Sequence, residues 1–351
     1  MEMRSCRLQW TAAGFTIALF GCNGPIGQND ALARVSQPSP LAGALARLGV
    51  RHEYGTFEGA NLPRAQSWVS PDAVDRAHLL YVTDPTVGDV YILSLPTGKL
   101  VGKLTGFNQP LGDCVDQKGD VFVTIAQSAQ IRVFKHGARQ PYDVLDDHGY
   151  YPLGCAVDPT TGNLAVANIN SNGNGSNTPG NLAIYSDAKG KPKFYSAPNI
   201  YQYGWCTYDN KGNLFIDGTS HHSNAPEFAE LPAHQKNVER ISLDTDIGGY
   251  EAVQWDGSNV AVGAGESATV YQFHISGRRG TAVGSTPLKG EQSLLGIWIQ
   301  TASKGQNLYA SVSVHSIGRV GVYHYPAGGK SIDDFYAVVN PWGVTESDKT
   351  P

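Results

Sequence analysis

The stretch Pro110-Leu-Gly-Asp-Cys-Val-Asp116 contains the pattern that decides the fold. It recurs as Pro152-Leu-Gly-Cys-Ala-Val-Asp158 and, in a third form, as Tyr203-Gly-Trp-Cys-Thr-Tyr-Asp209. Each copy leads through a short glycine-containing turn into an apolar strand, such as Val121-Phe-Val-Thr124. The copies recur about every 42 to 50 residues, and a repeat of that length with several short strands is typical of one blade of a β-propeller.

The composition agrees with many short strands and tight turns. Two weaker copies of the repeat follow, at Glu251–Asp256 and at Gly296–Gln300. The 351 residues include 41 Gly, 20 Pro and 17 Tyr but only 2 Met, and turn formers with aromatic residues favour β-structure over helix. A net charge of −5 excludes the basic surface that nucleic-acid binding requires, and a hydrophobic fraction of 41% is enough for a packed core.

The order Pro-x-Gly-x-x-Val-Asp, turn, then apolar strand resembles the NHL repeat, over roughly residues 77 to 347. The resemblance implies an all-β fold, a six-bladed β-propeller of four-stranded antiparallel blades. A single blade exposes both faces of its sheet, so only packing against neighbouring blades buries its apolar residues. We therefore expect one closed ring, and a monomer.

The two ends of the repeat region complement each other. His78-Leu-Leu-Tyr-Val-Thr-Asp84 matches the second strand of a blade but has no first strand before it. Pro341-Trp-Gly-Val-Thr-Glu-Ser347 matches a first strand with nothing after it to complete a blade. We predict that this C-terminal strand joins the N-terminal blade, which closes the ring and removes an open sheet edge.

The N-terminus predicts export. Arg4 and Arg7 precede the apolar segment Thr11–Gly21, which is too short to span a bilayer as a helix. The segment ends in Leu19-Phe20-Gly21-Cys22, which resembles a bacterial lipobox and implies a lipoprotein-type signal peptide at residues 1–21 with lipidation at Cys22. This predicts a protein anchored to the cell envelope, at the outer membrane where the organism has one. An ordinary cleaved signal or a buried apolar segment is the alternative.

The predicted domain organisation has two parts after the signal. Residues 22–75 lack a sustained period and contain Gly-Pro and Gln-Pro-Ser-Pro, so they predict a flexible tether. Residues 76–351 form the predicted propeller.

Aromatic residues near the start of the first strands suggest a binding site. In a blade of this kind, the loops that enter the first strand and those that join the second to the third share one end of the ring, which we call the top face. Aromatic rings around a channel suit a glycan, a peptide or an envelope protein, although packing between blades is an equally good explanation. The predicted ligand-binding residues are Tyr150, Tyr151, Tyr203, Trp205, Trp298 and Trp342.

An enzyme is the alternative function. The sequence shows no catalytic constellation, and we predict no catalytic residue and no obligatory cofactor. Some six-bladed relatives are lactonase-like hydrolases or lyases with a divalent cation at the channel mouth. Asp113, Glu251 and Glu346 lie on different first strands and are weak candidates for holding such a cation, for example calcium. Ordinary positions in strands and turns explain these carboxylates as well.

The cysteines test the predicted strand register. Counted back from the repeat aspartates, Cys155 and Cys206 share one register and Cys114 is offset by one residue. Because side chains alternate along a strand, Cys155 and Cys206 point the same way around the ring, and Cys114 points the other way. We predict a Cys114–Cys155 disulfide or close thiol pair, which an exported protein permits, with Cys206 free. Three small buried core residues are the alternative.

Overall fold

The structure is a computed structural model that describes residues 66–171, 178–221, 225–265, 267–300, 306–314 and 317–350. The predicted signal peptide (1–21), the lipidation site Cys22 and most of the predicted tether (22–75) lie outside these residues. No helix of the described part has the length and apolar character needed to cross a membrane. The helices found there are three short 3₁₀ turns, at Ala73–Asp75, Ala126–Ser128 and Ser186–Ala188.

Strands account for almost all regular structure. In chain order the first thirteen are β1 (Trp68–Val69), β2 (His78–Asp84), β3 (Asp89–Ser94), β4 (Lys99–Thr105), β5 (Pro110–Val115), β6 (Val121–Ile125), β7 (Gln130–Phe134), β8 (Asp143–Asp146), β9 (Pro152–Val157), β10 (Leu164–Asn168), β11 (Asn181–Tyr185), β12 (Lys193–Tyr195) and β13 (Gln202–Tyr208). The others are β14 (Leu214–Thr219), β15 (Pro226–Leu231), β16 (Glu239–Leu243), β17 (Tyr250–Trp255), β18 (Val260–Ala264), β19 (Thr269–Ser276), β20 (Arg279–Pro287), β21 (Ser293–Ile299), β22 (Gln306–Val314), β23 (Ile317–Tyr325), β24 (Asp333–Phe335) and β25 (Val344–Asp348).

The strands form five sheets. Three are separate four-stranded sheets, β5–β8, β9–β12 and β21–β24, each a meander of neighbouring antiparallel strands. A fourth sheet has the order β1-β4-β3-β2-β25, and the fifth has eight strands in the order β13-β14-β15-β16-β20-β19-β18-β17. The all-β fold and the propeller-like arrangement of sheets are confirmed. The eight-stranded sheet differs from the predicted series of separate four-stranded blades.

A short parallel contact creates the eight-stranded sheet. β16 and β20 pair at only two positions, Ser242 with Arg279 and Leu243 with Gly280. β20 extends to nine residues, and Gly280 gives the close approach room, because a Cβ there would lie 2.5 Å from a methyl carbon of Leu243. The outer edges of two meanders therefore meet at this point, where the sequence repeat predicts a gap.

The C-terminal strand closes the fold as the sequence predicts. β25 pairs antiparallel with β2, from His78 opposite Asp348 to Val82 opposite Val344. The same sheet also extends further toward the N-terminus than residue 76, because Trp68–Val69 pairs with Lys103 and Gly102 of β4. Residues at the end of the predicted tether therefore belong to the sheet.

Glycines allow the innermost strands to approach one another around the centre. A Cβ on Gly112 would lie 2.2 Å from the carbonyl oxygen of Leu153 in the next sheet, and one on Gly154 would lie 2.7 Å from the Cα of Trp205. Real Cβ atoms do not approach backbone so closely. The Gly of the repeat is therefore required by packing between sheets.

Hydroxyl groups on the second strands bridge neighbouring sheets. Thr124 Oγ1 accepts a hydrogen bond from Gly112 N in its own sheet (2.9 Å) and donates to the Leu153 carbonyl in the next (2.7 Å). Thr83 makes the same bridge, accepting from Gly343 N and donating to the Leu111 carbonyl. These buried bonds hold adjacent inner strands in register, and each contributes on the order of 1 kcal/mol.

The role of β25 can be tested by truncation. Removing residues 342–351 would leave the inner edge of β2 unpaired and expose apolar residues such as Leu80 and Val82, so we expect loss of cooperative thermal unfolding and aggregation. Circular dichroism melts and size-exclusion chromatography measure both. Removing only residues 349–351 is the control and should leave the melting temperature almost unchanged. A cooperative, monomeric product of the longer truncation would show that β25 does not close the fold.

Candidate functional site

A cavity of ≈ 320 Å³ lies among the innermost strands. Its walls come from the second halves of β5, β9, β13, β17 and β21, from the turns after the first three of these strands, and from Val344. The lining residues are Asp113, Cys114, Val115, Asp116, Gln117, Cys155, Ala156, Val157, Pro159, Trp205, Cys206, Thr207, Tyr208, Asn210, Ala252, Val253, Gln254, Trp255, Ile297, Trp298, Ile299 and Val344. The cavity is thus displaced from the predicted top face, toward the turns that lead into the second strands.

Only two of the six predicted ligand-binding aromatics reach this cavity. They are Trp205 and Trp298, which line it from β13 and β21. The other four are placed elsewhere: Tyr151 and Trp342 are buried in an apolar cluster, Tyr203 is buried in another, and Tyr150 packs against Phe194 with ring centroids 4.9 Å apart. The predicted aromatic ring at the top face is therefore not assembled by these residues.

The first apolar cluster explains why the top half of the centre is closed. It joins residues of, or next to, every innermost strand, namely Leu111, Leu153, Trp205, Val253, Leu295 and Trp342. Each of these side chains is at most 9% exposed. These side chains pack together at this level, and two of them, Trp205 and Val253, also line the cavity.

Trp255 is a cavity residue that sequence reasoning missed. It directly precedes Asp256, as Val115, Val157 and Tyr208 precede the other repeat aspartates, and all four residues line the cavity. The signal was therefore present in the repeat alignment. The indole Nε1 of Trp255 is buried and has no hydrogen-bond partner among the described residues, so this donor is unsatisfied.

Asp113 brings an unpaired carboxyl group to the cavity wall. Its side chain is only 7% exposed, and neither carboxyl oxygen has a hydrogen-bond partner among the described residues. Burial raises the pKa of Asp113 well above its usual value, because water no longer stabilises the charged form. Buried polar groups without partners are rare in folded proteins, so this carboxyl group marks a position where a ligand could donate a hydrogen bond.

The three carboxylates proposed for a cation do not come together. Asp113 lines the cavity, whereas the buried side chain of Glu251 packs against Gly265, the residue that follows β18. Glu346 lies beside His78 and accepts a hydrogen bond from Gln300 Nε2 (3.1 Å). Among the described residues, the groups close enough to share an ion do not include Asp113 or Glu251. The predicted calcium site made of all three is therefore not formed.

Two of the cysteines form a disulfide in the cavity wall. Cys114 of β5 and Cys155 of β9 are bonded, with Cα atoms 5.7 Å apart, and this is the pair that the side-chain alternation predicts. Cys206 is buried with a free thiol, and burial raises its pKa. The disulfide links adjacent sheets in the wall of the cavity.

The disulfide should contribute measurably to stability. Replacing Cys114 and Cys155 by Ser removes a crosslink across 41 residues, and we expect the free energy of unfolding in urea to fall by about 2–4 kcal/mol. Cys206→Ala leaves the crosslink intact and serves as the matched control, with a smaller loss. Peptide mapping without reduction gives the pairing directly, and a Cys155–Cys206 peptide would contradict it.

Asp217 holds the backbone of Trp205 in place. Trp205 N donates to Asp217 Oδ1 at 2.5 Å, as Gly112 N donates to the Thr124 hydroxyl in the equivalent position. The second oxygen, Oδ2, is buried and has no partner among the described residues. Burial raises the pKa of Asp217 to about 7. A proton on Oδ2 would give Asp217 the donor that the threonine hydroxyls use.

This carboxyl group predicts a pH dependence of stability. The folded protein binds the proton more tightly than the unfolded chain, where an aspartate pKa is about 4, so the stabilisation is complete below pH ~4 and is lost as the pH rises to about 7. Asp217→Asn keeps the acceptor oxygen and adds a donor. Between pH 4 and 7 we expect its free energy of unfolding to fall less than that of the wild type, by on the order of 1–3 kcal/mol.

Urea unfolding at several pH values between 4 and 8 measures the effect. Asp147 is also buried, with a pKa raised to about 7, so the difference between wild type and Asp217→Asn is the informative quantity. Asp333→Asn alters an exposed carboxyl group and should retain the wild-type profile. Parallel profiles for wild type and Asp217→Asn would show that Asp217 is ionised in the folded protein across this range.

Comparisons with known proteins establish the fold alone. No protein-family model matches the sequence, and no curated protein matches it. Among solved structures, the fold is similar to a chain of the nidogen/laminin complex, with a TM-score of 0.60 and 13% identity over 78% of this chain and 100% of that chain.

Two further structures are similar to a lesser degree. One is a functionally unknown protein from Desulfotomaculum acetoxidans DSM 771, with a TM-score of 0.51 and 14% identity over 78% of this chain and 99% of that one. The other is the Kuenenia stuttgartiensis hydrazine synthase, with a TM-score of 0.51 and 16% identity over 77% and 80%. Together with the sheet arrangement, these similarities show that the chain is a β-propeller.

Proposed function

We propose that the protein is a binding protein that takes a sugar-sized ring ligand into its central cavity. One observation carries the proposal: an unpartnered, buried carboxyl group, Asp113, lies in the wall of a cavity that three tryptophans also line. The volume of ≈ 320 Å³ is at the lower end of ligand cavities and suits one or two sugar rings. This role agrees with the propeller fold, which often serves in binding.

The lining offers the chemistry that a sugar requires. The indole face of the partly buried Trp298 can stack on the C–H face of a pyranose ring, and the apolar wall displaces water from that face. Asp113 can accept a hydrogen bond from a ring hydroxyl, and Trp255 Nε1–H can donate to a ring oxygen. A folded partner protein could not enter so small a cavity, so among the predicted glycan, peptide and protein partners we favour the glycan.

We further propose that the ring has six NHL-like blades. The eight-stranded sheet consists of two antiparallel meanders, β13–β16 and β17–β20, that meet at two residue pairs only. Counted as two blades, they bring the total to six, in agreement with the sequence repeats. Anchoring to the cell envelope through Cys22 remains our proposal for the location, and the Cys114–Cys155 disulfide suits an oxidising compartment outside the cytoplasm.

The binding proposal can be tested by calorimetry and tryptophan fluorescence with a panel of glucose, galactose, N-acetylglucosamine and their disaccharides. We expect at least one to bind saturably. Trp298→Ala should weaken that binding about tenfold, since an aromatic stacking contact contributes about 1 kcal/mol or more beyond its buried area. Asp113→Asn should weaken it further for any sugar whose hydroxyl donates to the carboxyl group.

Trp68→Ala is the matched control, because Trp68 is an exposed tryptophan on β1 outside the cavity. Its affinity should equal that of the wild type, and melting temperatures confirm that each variant is folded. If no sugar of the panel binds, or if Trp298→Ala and Trp68→Ala bind a sugar equally well, the cavity is not a sugar site and the proposal fails.

A further inference from the structure

Strand register places three metal-ligating side chains on one face of the closing sheet. His78, the first residue of β2, is paired directly with Asp348 of β25. Residues opposite each other in an antiparallel pair share a face, and so do residues two apart in one strand. Asp348 and Glu346 therefore project on the same side as His78. The arrangement follows from the backbone pairing alone.

The side chains meet closely. His78 Nδ1 lies 2.7 Å from Asp348 Oδ1 and 3.2 Å from Glu346 Oε1, and the ligand atoms of all three residues lie within 4.8 Å of one another. Zinc holds nitrogen and oxygen ligands at about 2.0–2.2 Å, which sets tetrahedral ligand atoms about 3.3 Å apart. Small movements of the half-exposed His78 and the exposed Asp348 would reach that geometry.

The histidine of the cluster supplies fewer hydrogen-bond donors than the two carboxylates can accept. A single nitrogen, Nδ1, faces both carboxylates, and it can donate one proton to only one of them at a time. The neighbouring Lys349 is paired with Asp75 at 2.8 Å, and His136 is engaged by Ser347 and the Arg76 carbonyl. The neighbouring basic side chains are therefore paired outside the cluster, and a divalent ion could bind both carboxylates at once.

The Glu346 carboxylate is already held in place by burial and by a hydrogen bond, as a metal ligand needs to be. Glu346 is 4% exposed, and Gln300 Nε2 donates to its Oε1 at 3.1 Å. Hydrogen bonds from outside the ligand set orient metal ligands and support affinity. The exposed side of the cluster, toward His78 and Asp348, leaves room for water as a further ligand.

We propose that His78, Glu346 and Asp348 bind a divalent transition-metal ion of the zinc type, which links β2 to β25 where the fold closes. Imidazole nitrogen with two carboxylate oxygens is a ligand set that zinc accepts, and calcium or magnesium, which prefer oxygen ligands alone, bind it poorly. Because the folded protein binds the ion and the unfolded chain lacks the site, metal stabilises the closed ring.

The test begins with full-length protein dialysed against a chelator. Titration calorimetry with ZnCl₂ should show one site per chain, and saturating zinc should raise the melting temperature, whereas CaCl₂ and MgCl₂ should do neither. His78→Ala should abolish this site and the thermal shift. Asp348→Asn, an exposed change that leaves the fold intact, should weaken zinc binding at least tenfold.

The chain contains a matched control. His148 Nδ1 lies 3.2 Å from Asp146 Oδ2, so it is another exposed histidine–aspartate pair, but no third ligand lies beside it in the part of the chain that the structure describes. His148→Ala should bind zinc as the wild type does, with the same thermal shift. Zinc binding that survives in both His78→Ala and Asp348→Asn, or wild-type protein that does not bind zinc, would overturn the proposal.

Discussion

The close approach of the innermost strands is the constraint on which this structure depends. At Gly112 and Gly154 the backbone of the next sheet occupies the space where a Cβ would be, and at Gly343 the Asp113 carboxyl group and the Leu111 carbonyl lie within 3 Å of that position. Adjacent sheets can therefore pack at the centre only if these residues have no side chain. Gly343 places the last strand in the same arrangement as β5 and β9, so closure uses the glycine contact that is found at those two junctions.

The side chain that bridges neighbouring sheets differs from one junction to another, and one of these differences lies beside the cavity. Thr83 and Thr124 bridge with a hydroxyl group that both accepts and donates. Asp217 occupies the equivalent position beside Trp205 and, as a carboxylate, can only accept. The cost of burying a charge there is reduced if the group stays protonated. Asp217, which holds the backbone of Trp205 in the cavity wall, is therefore the bridging side chain whose protonation depends on its surroundings.

The sequence was informative wherever side-chain alternation decides the outcome. Alternation placed Cys114 opposite Cys155 and excluded Cys206, and the incomplete copies at the two ends predicted the pairing of β2 with β25. It failed for the aromatic residues, because a position near a strand start does not say whether a ring faces a neighbouring sheet or open space. Tyr151, Tyr203 and Trp342 face neighbouring sheets. The eight-stranded sheet also escaped prediction, since it arises from a contact between outer strands that the repeat does not encode.

The pairing of β2 with β25 also has a consequence for the order of synthesis. β2 is the second strand in chain order and β25 the last among the described residues, and the 259 residues from 85 to 343 lie between them. The sheets from β5 to β24 can each form from local hairpins as they emerge, but the inner edge of β2 stays unprotected until the final strand arrives. A chaperone that shields this edge would therefore matter more for this protein than for one whose strands all pair locally.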